Sequence, residues 1–329
     1  FWQKMGCAGS LQKTSAPVEK HLMPVHEVYK IIDDNRHRTN PSDHSTAVRK
    51  DTNTPLQMKR AENKCSVAGR NCIQNEIQIM QHLSHPHIQH FVEHLEDAHY
   101  TYIFLEILQG GNLAAFVREK GVLPESHAAF IICQLTAAVA YLHSSGVVHR
   151  ALAAEKVLLV SKDDSSPNFL MVKVSGFEMS VRGNPASLQF SEDCPEINEC
   201  TAPELATAFR RNQRGITRTS FYTDKADVWS LGCISFFLLS GASIFSPLRF
   251  GGDRSLQAEA IERGRVQCAE GVGGAQWRSL SEDCKQSLLK MLQVSPTARI
   301  TAAACKKDRW ALEAARSLRQ SRNTHPTPP

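Results

Sequence analysis

The apolar positions of this chain fall into short extended runs in the first third and into helical spacings thereafter. A strand-like run begins at Val28-Tyr29-Lys30-Ile31-Ile32, and Pro55-Leu56-Gln57-Met58-Lys59 reads as a second short strand ending on a lysine. Ile73, Ile77, Met80 and Leu83 return every three or four residues, which puts them on one face of a helix over residues 71–83. Tyr102-Ile103-Phe104-Leu105-Glu106-Ile107 has the continuous apolar character of a buried strand and closes on the turn signal Gln109-Gly110-Gly111-Asn112. From there the pattern is helical, over residues 125–145, 203–208, 227–240, 281–292 and 301–319. Strands first and helices afterwards, without internal repeats, predict an α+β architecture with a small β-rich lobe joined to a larger helical one.

Composition narrows this little. The 329 residues, 42% of them hydrophobic, are enough to bury a substantial core, and a net charge of +5 lacks the dense basic footprint of a nucleic-acid binder. Residues 228–248 carry no charge and are long enough to cross a bilayer, but their many Gly and Ser residues and Asp227 at the head predict a buried core helix and no membrane partner. The ten cysteines have no C-x-x-C and no regular spacing, and Cys133 and Cys233 lie in apolar stretches. That usage suits reduced thiols and a cytoplasmic or nuclear location. No signal peptide is expected from Phe1-Trp2-Gln3-Lys4. Six histidines crowd residues 82–99, but their spacing fits no compact ligand set and no metal site is expected.

The chemistry-bearing stretch is residues 147–178. It reads Val147-Val148-His149-Arg150-Ala151-Leu152-Ala153-Ala154-Glu155-Lys156, then a polar hairpin, then Val174-Ser175-Gly176-Phe177-Glu178. Further on stand Ala202-Pro203-Glu204, Asp227-Val228-Trp229-Ser230-Leu231-Gly232, and Arg299 in Ser295-Pro296-Thr297-Ala298-Arg299-Ile300. In this order the motifs resemble the eukaryotic protein kinase domain, nearest to calcium/calmodulin-dependent and checkpoint-type serine/threonine kinases. The resemblance covers roughly residues 28–310. It implies the bilobal protein kinase-like fold, with an N-terminal extension over 1–27, an N-lobe over 28–108, a C-lobe over 109–312 and a basic tail over 313–329.

The resemblance also assigns roles. Lys59 and Glu76 match the strand lysine and helix glutamate that pair in the family, and Glu106 and Ile107 match the hinge beside the nucleotide. His149, Phe177 and Met80 match the hydrophobic spine joining the lobes. Arg150 matches the arginine beside the catalytic loop, Asp227 would anchor that loop's backbone from below, and Glu204 and Arg299 match a paired acid and base.

The departures are equally ordered. Ala151 stands where the family has the aspartate that accepts the substrate proton, and Ala153 where serine/threonine kinases have a lysine facing the transferred group. Lys156 replaces a metal-binding asparagine, Gly176 the metal-binding aspartate, and Glu178 a glycine. Glu178 lies two positions along from the lost metal ligand, so its side chain is expected to point elsewhere. No glycine occurs between Gly9 and Gly69, so the phosphate-cradling turn is not built in the usual way. These departures lead to the expectation of a catalytically inactive kinase-like domain, not an enzyme, with no metal and no cofactor, Mg-ATP binding being disfavoured. It would act as a scaffold or allosteric regulator that binds a protein partner, such as an active kinase or its substrate. The alternatives are a weak or atypical ATP-dependent serine/threonine protein kinase and a domain that binds nucleotide without turnover.

Two basic surfaces and a set of hydroxyls complete the reading. Arg210, Arg211, Arg214 and Arg218 are expected in a loop before the helix at 227. Lys306, Lys307, Arg309, Arg316, Arg319 and Arg322 line the helix expected over 301–319, whose few apolar anchors past Trp310 leave calmodulin as a further partner reading. Ser180, Ser187, Ser191 and Thr201 lie in the segment before Ala202.

Overall fold

Five antiparallel strands in the order β1-β2-β3-β5-β4 build the N-terminal half: β1 (Tyr29–Ile31), β2 (Ser45–Arg49), β3 (Pro55–Glu62), β4 (Phe91–Glu96) and β5 (Tyr100–Glu106). They belong to a computed structural model that describes residues 24–32, 45–63, 67–184, 188–189, 197–214, 221–246, 251–263, 274–313 and 316. The sheet buries Tyr29, Ala47, Leu56, Met58, Tyr102 and Phe104 in a core of their own, with the Tyr29 and Phe104 rings stacked 3.8 Å apart. A short helix, α1 (Val25–Val28), leads into β1 and seats Val25 in the same cluster. The segment expected to cradle phosphate falls largely in residues 33–44, outside the described residues.

On the other side of the sheet lies α2 (Val67–Met80), where Ile73, Ile77 and Met80 are buried as their spacing predicts. Leu83 is buried too but lies past the end of the helix, in the turn that leads to β4. This face of α2 joins the main core, which continues into the C-terminal half without interruption.

That half is helical. In chain order it contains α3 (Leu113–Lys120), α4 (Glu125–Ser144), α5 (Pro203–Gln213), α6 (Lys225–Ser240), α7 (Arg254–Glu262), α8 (Gly274–Ser279), α9 (Glu282–Met291) and α10 (Ala302–Cys305). Four of the short strands between α4 and α5 form the floor of the site: β6 (Val147–Val148), β7 (Val157–Leu159), β8 (Val172–Val174) and β9 (Val181–Arg182), paired β6 with β9 and β7 with β8. The N-caps follow the sequence: Asn112, Asp253, Ser281 and Thr301 each accept a hydrogen bond from a backbone amide of the first turn. Glu125, at the start of α4, receives Ser281 N at 2.9 Å and Trp310 Nε1 at 3.0 Å, which ties α9 and the helical turn at Trp310 to the central helix. Helix α4 is long and apolar enough to cross a membrane by length and composition, yet 61% of its most apolar window is buried inside the protein.

Two expected helices are shorter than their patterns. The uncharged run over 228–248 is helical only to Ser240, because Gly241 takes φ +69° and closes α6 with its amide on Phe237 O. The helix expected over 301–319 is broken: α10 ends at Cys305, a turn occupies residues 306–307, and Asp308 accepts Trp310 N at 3.2 Å to start the next helical turn.

Helix α6 is buried around most of its circumference, from Ala226 to Leu239. Gly232 lies where it crosses α9; a Cβ there would meet Leu292 Cδ2 at 2.7 Å, Leu292 Cγ at 2.8 Å and Met291 Cβ at 3.1 Å. Alanine gains about 1 kcal/mol of helix propensity over glycine, whereas forcing a methyl into a filled core costs about 1–3 kcal/mol. Gly232→Ala is therefore expected to destabilise the protein by about 1 kcal/mol net, read as a lower midpoint in urea unfolding.

Candidate functional site

His149 through Ala154 run beneath the cleft as a loop held by one buried carboxylate. Asp227, in the first turn of α6, accepts His149 N and Arg150 N at 2.9 Å each and meets His143 Nε2 at 3.0 Å. Burial alone would raise its pKa, but the hydrogen bond and charge of His143, then His149, hold it below the ordinary carboxylate value. These bonds keep Arg150 at φ +65°, a conformation that non-glycine residues adopt only under constraint. The imidazole of His149 is fully buried, contacts Ser175 O at 3.1 Å through Nε2 and lies 5.0 Å from the Phe177 ring. Burial pushes its pKa down, so it serves as a neutral structural ring. Met80 and Phe177 both lie in the core that runs through the two halves, and His149 packs against the Phe177 ring. Ala151 and Ala153 present methyl groups at the positions where the family places chemistry, and both are nearly buried.

Above this floor stand four charged side chains. Lys59 Nζ, on β3, lies 2.7 Å from Glu76 Oε1 on α2, and the same oxygen accepts Phe177 N at 3.3 Å. Burial would lower the pKa of Lys59, but Glu76 and then Glu178 raise it above the ordinary lysine value and keep the ammonium charged. Lys156, at the end of the 3₁₀ turn Ala154–Lys156, is ion-paired with Glu178 Oε1. Lys156, and after it Lys59, outweigh the burial of Glu178 and hold its carboxyl at about 2.

The expectation that Glu178 points away from the site is corrected by this arrangement. Gly176 has φ +77°, outside the extended region, so the alternation of side chains along a strand fails there and residue 178 turns back into the cleft. Glu178 is further fixed by Asn75, whose Nδ2 donates to Glu178 O at 3.1 Å and to Ser180 O at 2.7 Å. Neither Asn75 nor His143 stood out in the sequence, since each is a single polar residue next to a more conspicuous acid or strand.

Gly176 has a second role. A Cβ at this position would lie 2.5 Å from Lys156 Cδ and 3.0 Å from Lys156 Nζ. The lysine therefore crosses the space that any side chain at 176 would occupy, and the two departures form one packed unit.

The remaining assigned residues divide. Glu106, matched to the hinge, turns its carboxylate to Lys173 Nζ at 2.6 Å and His90 N at 2.7 Å, while its backbone oxygen accepts Gln89 Nε2 at 3.0 Å. Ile107 is left 38% exposed, an apolar surface beside the cleft. Arg299 and Glu204 form a two-pronged pair at 2.8 and 3.0 Å with the guanidinium wholly buried over the Trp229 ring. Arg210 belongs to α5, not to a loop, and is paired with Glu259 and Glu262; Arg218 lies outside the described residues. Trp310 is buried, so it is not a free anchor for a partner helix, and Arg319 and Arg322 lie outside the described residues. Ser180 and Thr201 are buried, and Ser187 and Ser191 lie outside the described residues.

The protein kinase domain family model matches residues 42–311. Mouse serine/threonine-protein kinase 33 is 28% identical over 269 residues, 80% of this chain and 51% of the mouse protein. The calcium/calmodulin-dependent protein kinase type I of Schizosaccharomyces pombe is 31% identical over 263 residues, 78% of this chain and 70% of that protein. The chain spans about half or less of the length of several relatives, 34% for the probable kinase fhkD of Dictyostelium discoideum. Among solved structures, the crystal structure of Rad53 1-466 in complex with AMP-PNP has the same fold, with a TM-score of 0.65 and 24% identity over 87% of this chain and 66% of that one.

These relatives correct two expectations drawn from the departures. A chain that is not an enzyme is at odds with matches to proteins named as serine/threonine and calcium/calmodulin-dependent protein kinases. The expectation of no cofactor falls with it, because the matched domain is that of a family that works on Mg-ATP. Lys156 and Glu178 bring a paired ammonium and carboxylate into this cleft.

Proposed function

The chain belongs to the protein kinase domain family, and we propose that it is an ATP-dependent serine/threonine protein kinase of atypical, slow chemistry acting on protein substrates. The observation that carries this reading is the intact Lys59–Glu76 pair at 2.7 Å, joined through Glu76 to the backbone of Phe177. In phosphoryl transfer, binding and electrostatic positioning carry most of the catalysis, and a strand lysine held by a helix glutamate is the protein's own cation for the phosphates.

The work divides among the charged side chains of the cleft and the loop beneath them. Lys59 meets nucleotide phosphate and is kept charged and aimed by Glu76. Lys156 presents a second ammonium to the same space from below. Magnesium fits this chain in a changed place: Lys156 and Gly176 offer no oxygen ligand, whereas Glu178 offers a carboxylate whose Oε2 is buried without a hydrogen-bond partner. When bound, the metal neutralises phosphate charge. The Asp227-anchored loop positions the substrate hydroxyl, but Ala151 gives it no acceptor for its proton, which passes to water or to the phosphoryl oxygens.

A missing general base costs about 10²–10⁴ in rate, so turnover is expected well below the roughly 1–100 s⁻¹ of ordinary protein kinases. Purified protein with γ-labelled ATP, magnesium and generic serine/threonine peptides should show slow incorporation that Lys59→Met abolishes, with ATP binding at least tenfold weaker in the variant. Incorporation no higher than in Lys59→Met would overturn the reading. A reducing compartment, cytoplasm or nucleus, is in keeping with the unbridged thiols at Cys200, Cys233, Cys284 and Cys305.

A further inference from the structure

We propose that Glu178 is the cation-binding carboxylate of the nucleotide site, covered by the Lys156 ammonium until nucleotide phosphates draw that ammonium away. The inference rests on nucleotide binding as read above and assigns the metal to a position that the family's motif does not supply.

The two oxygens of Glu178 are unequal. Oε1 is paired with Lys156, while Oε2 is buried and has no hydrogen-bond partner. A carboxylate oxygen withdrawn from water and left without a donor is costly unless a ligand supplies the missing charge. Its backbone oxygen accepts Asn75 Nδ2 at 3.1 Å, so residue 178 keeps its place at the cleft whether or not Lys156 stays with it.

Lys156 is built to move only at its end. Its backbone oxygen accepts Ser175 N at 2.8 Å and Ser175 Oγ at 3.2 Å, and its amide donates to Ala153 O at 2.9 Å. The aliphatic stem crosses Gly176, where no side chain obstructs it. The ammonium beyond this point sits on a flexible stem with rotatable donors. Charge decides where it goes. Lys59 and Lys156 balance Glu76 and Glu178 in the cleft, and a nucleoside triphosphate adds several negative charges that compete for both ammonium groups. Once Lys156 turns to phosphate, Glu178 is an uncompensated carboxylate beside phosphate oxygens. Magnesium is commonly bound by one or two carboxylates together with substrate phosphates, which is the donor set then assembled.

The test is ATP binding by calorimetry, with magnesium and with excess EDTA, on wild type, Glu178→Gln and Glu178→Asp. Wild type should bind ATP at least tenfold more tightly with magnesium. Glu178→Gln should lose that dependence while keeping or gaining affinity for metal-free ATP, and Glu178→Asp, which retains the carboxylate, should keep a reduced dependence. In Lys156→Met, the paramagnetic signal of free Mn²⁺ should fall on addition of protein without nucleotide, because Glu178 is uncovered. An unchanged metal dependence in Glu178→Gln would overturn the assignment. So would wild-type binding that is equally tight with and without metal, which would give the cation's role to Lys156 itself. Absence of ATP binding in wild type under both conditions would instead overturn the kinase reading on which the assignment stands.

Discussion

Glu204→Ala is expected to destabilise the protein by about 3 kcal/mol, toward the lower end of the roughly 3–5 kcal/mol that follows when one partner of a buried ion pair is removed. Arg299 has no exposed side-chain surface, and without Glu204 its charge stays buried. The lower end applies because three backbone oxygens remain on the guanidinium: Gln293 O and Lys225 O at 2.8 Å, and Val294 O at 3.2 Å. The same reasoning fixes the sign of a double variant. Removing both charges with Glu204→Ala and Arg299→Met should recover part of the loss, since a buried charge without its partner costs more than an apolar pair of similar volume. Urea unfolding of the two single variants and the double variant measures this. A double variant less stable than Glu204→Ala alone would show that the carbonyl contacts, not the ion pair, dominate.

The second large effect is expected at Asp227. Alanine there takes the acceptor from the buried His149 N and the partly buried Arg150 N, at about 1–3 kcal/mol each, and removes the buried partner of His143, so a loss of about 3–5 kcal/mol is expected. It also removes the carboxylate that holds Arg150 N at φ +65°, so the loop should relax and any phosphoryl transfer should fall further than stability alone requires. Asp227 adds a pH dependence. Its folded pKa is depressed, so its contribution is fully present above the unfolded value of about 3.9 and is lost as pH falls through the lower folded value. Wild-type stability should therefore drop below about pH 4, more steeply than that of Asp227→Asn, which has no proton to take up at this site. Parallel acid-unfolding curves would remove Asp227 from this role.

Much of this was legible in the sequence, for physical reasons that differ by residue. Ile73, Ile77 and Met80 announced their helix face because an amphipathic helix must repeat its apolar positions at its own period. Lys59, Glu76, Asp227, Glu204 and Arg299 were found by motif and order, and the structure brings them into the expected pairs. Glu178 was misjudged because the alternation of side chains assumes extended backbone, and the positive φ of Gly176 cancels it. The helix expected over 301–319 was overdrawn because its residues favour helix locally. Asp308 instead takes Ser287 Oγ and Lys290 as tertiary partners and restarts the chain. Arg210 looked like a free basic residue since nothing in the local sequence discloses Glu262, which lies on α7.

The contact of Lys156 with Gly176 couples the two positions under substitution. Introducing aspartate at 176 first would drive its Cβ to within 2.5 Å of the lysine stem, at a backbone angle that disfavours any side chain. Replacing Lys156 by asparagine first opens that space, although it strips Glu178 of its partner. The two positions therefore share one space: a side chain at 176 displaces the lysine stem, and removing the stem frees room at 176.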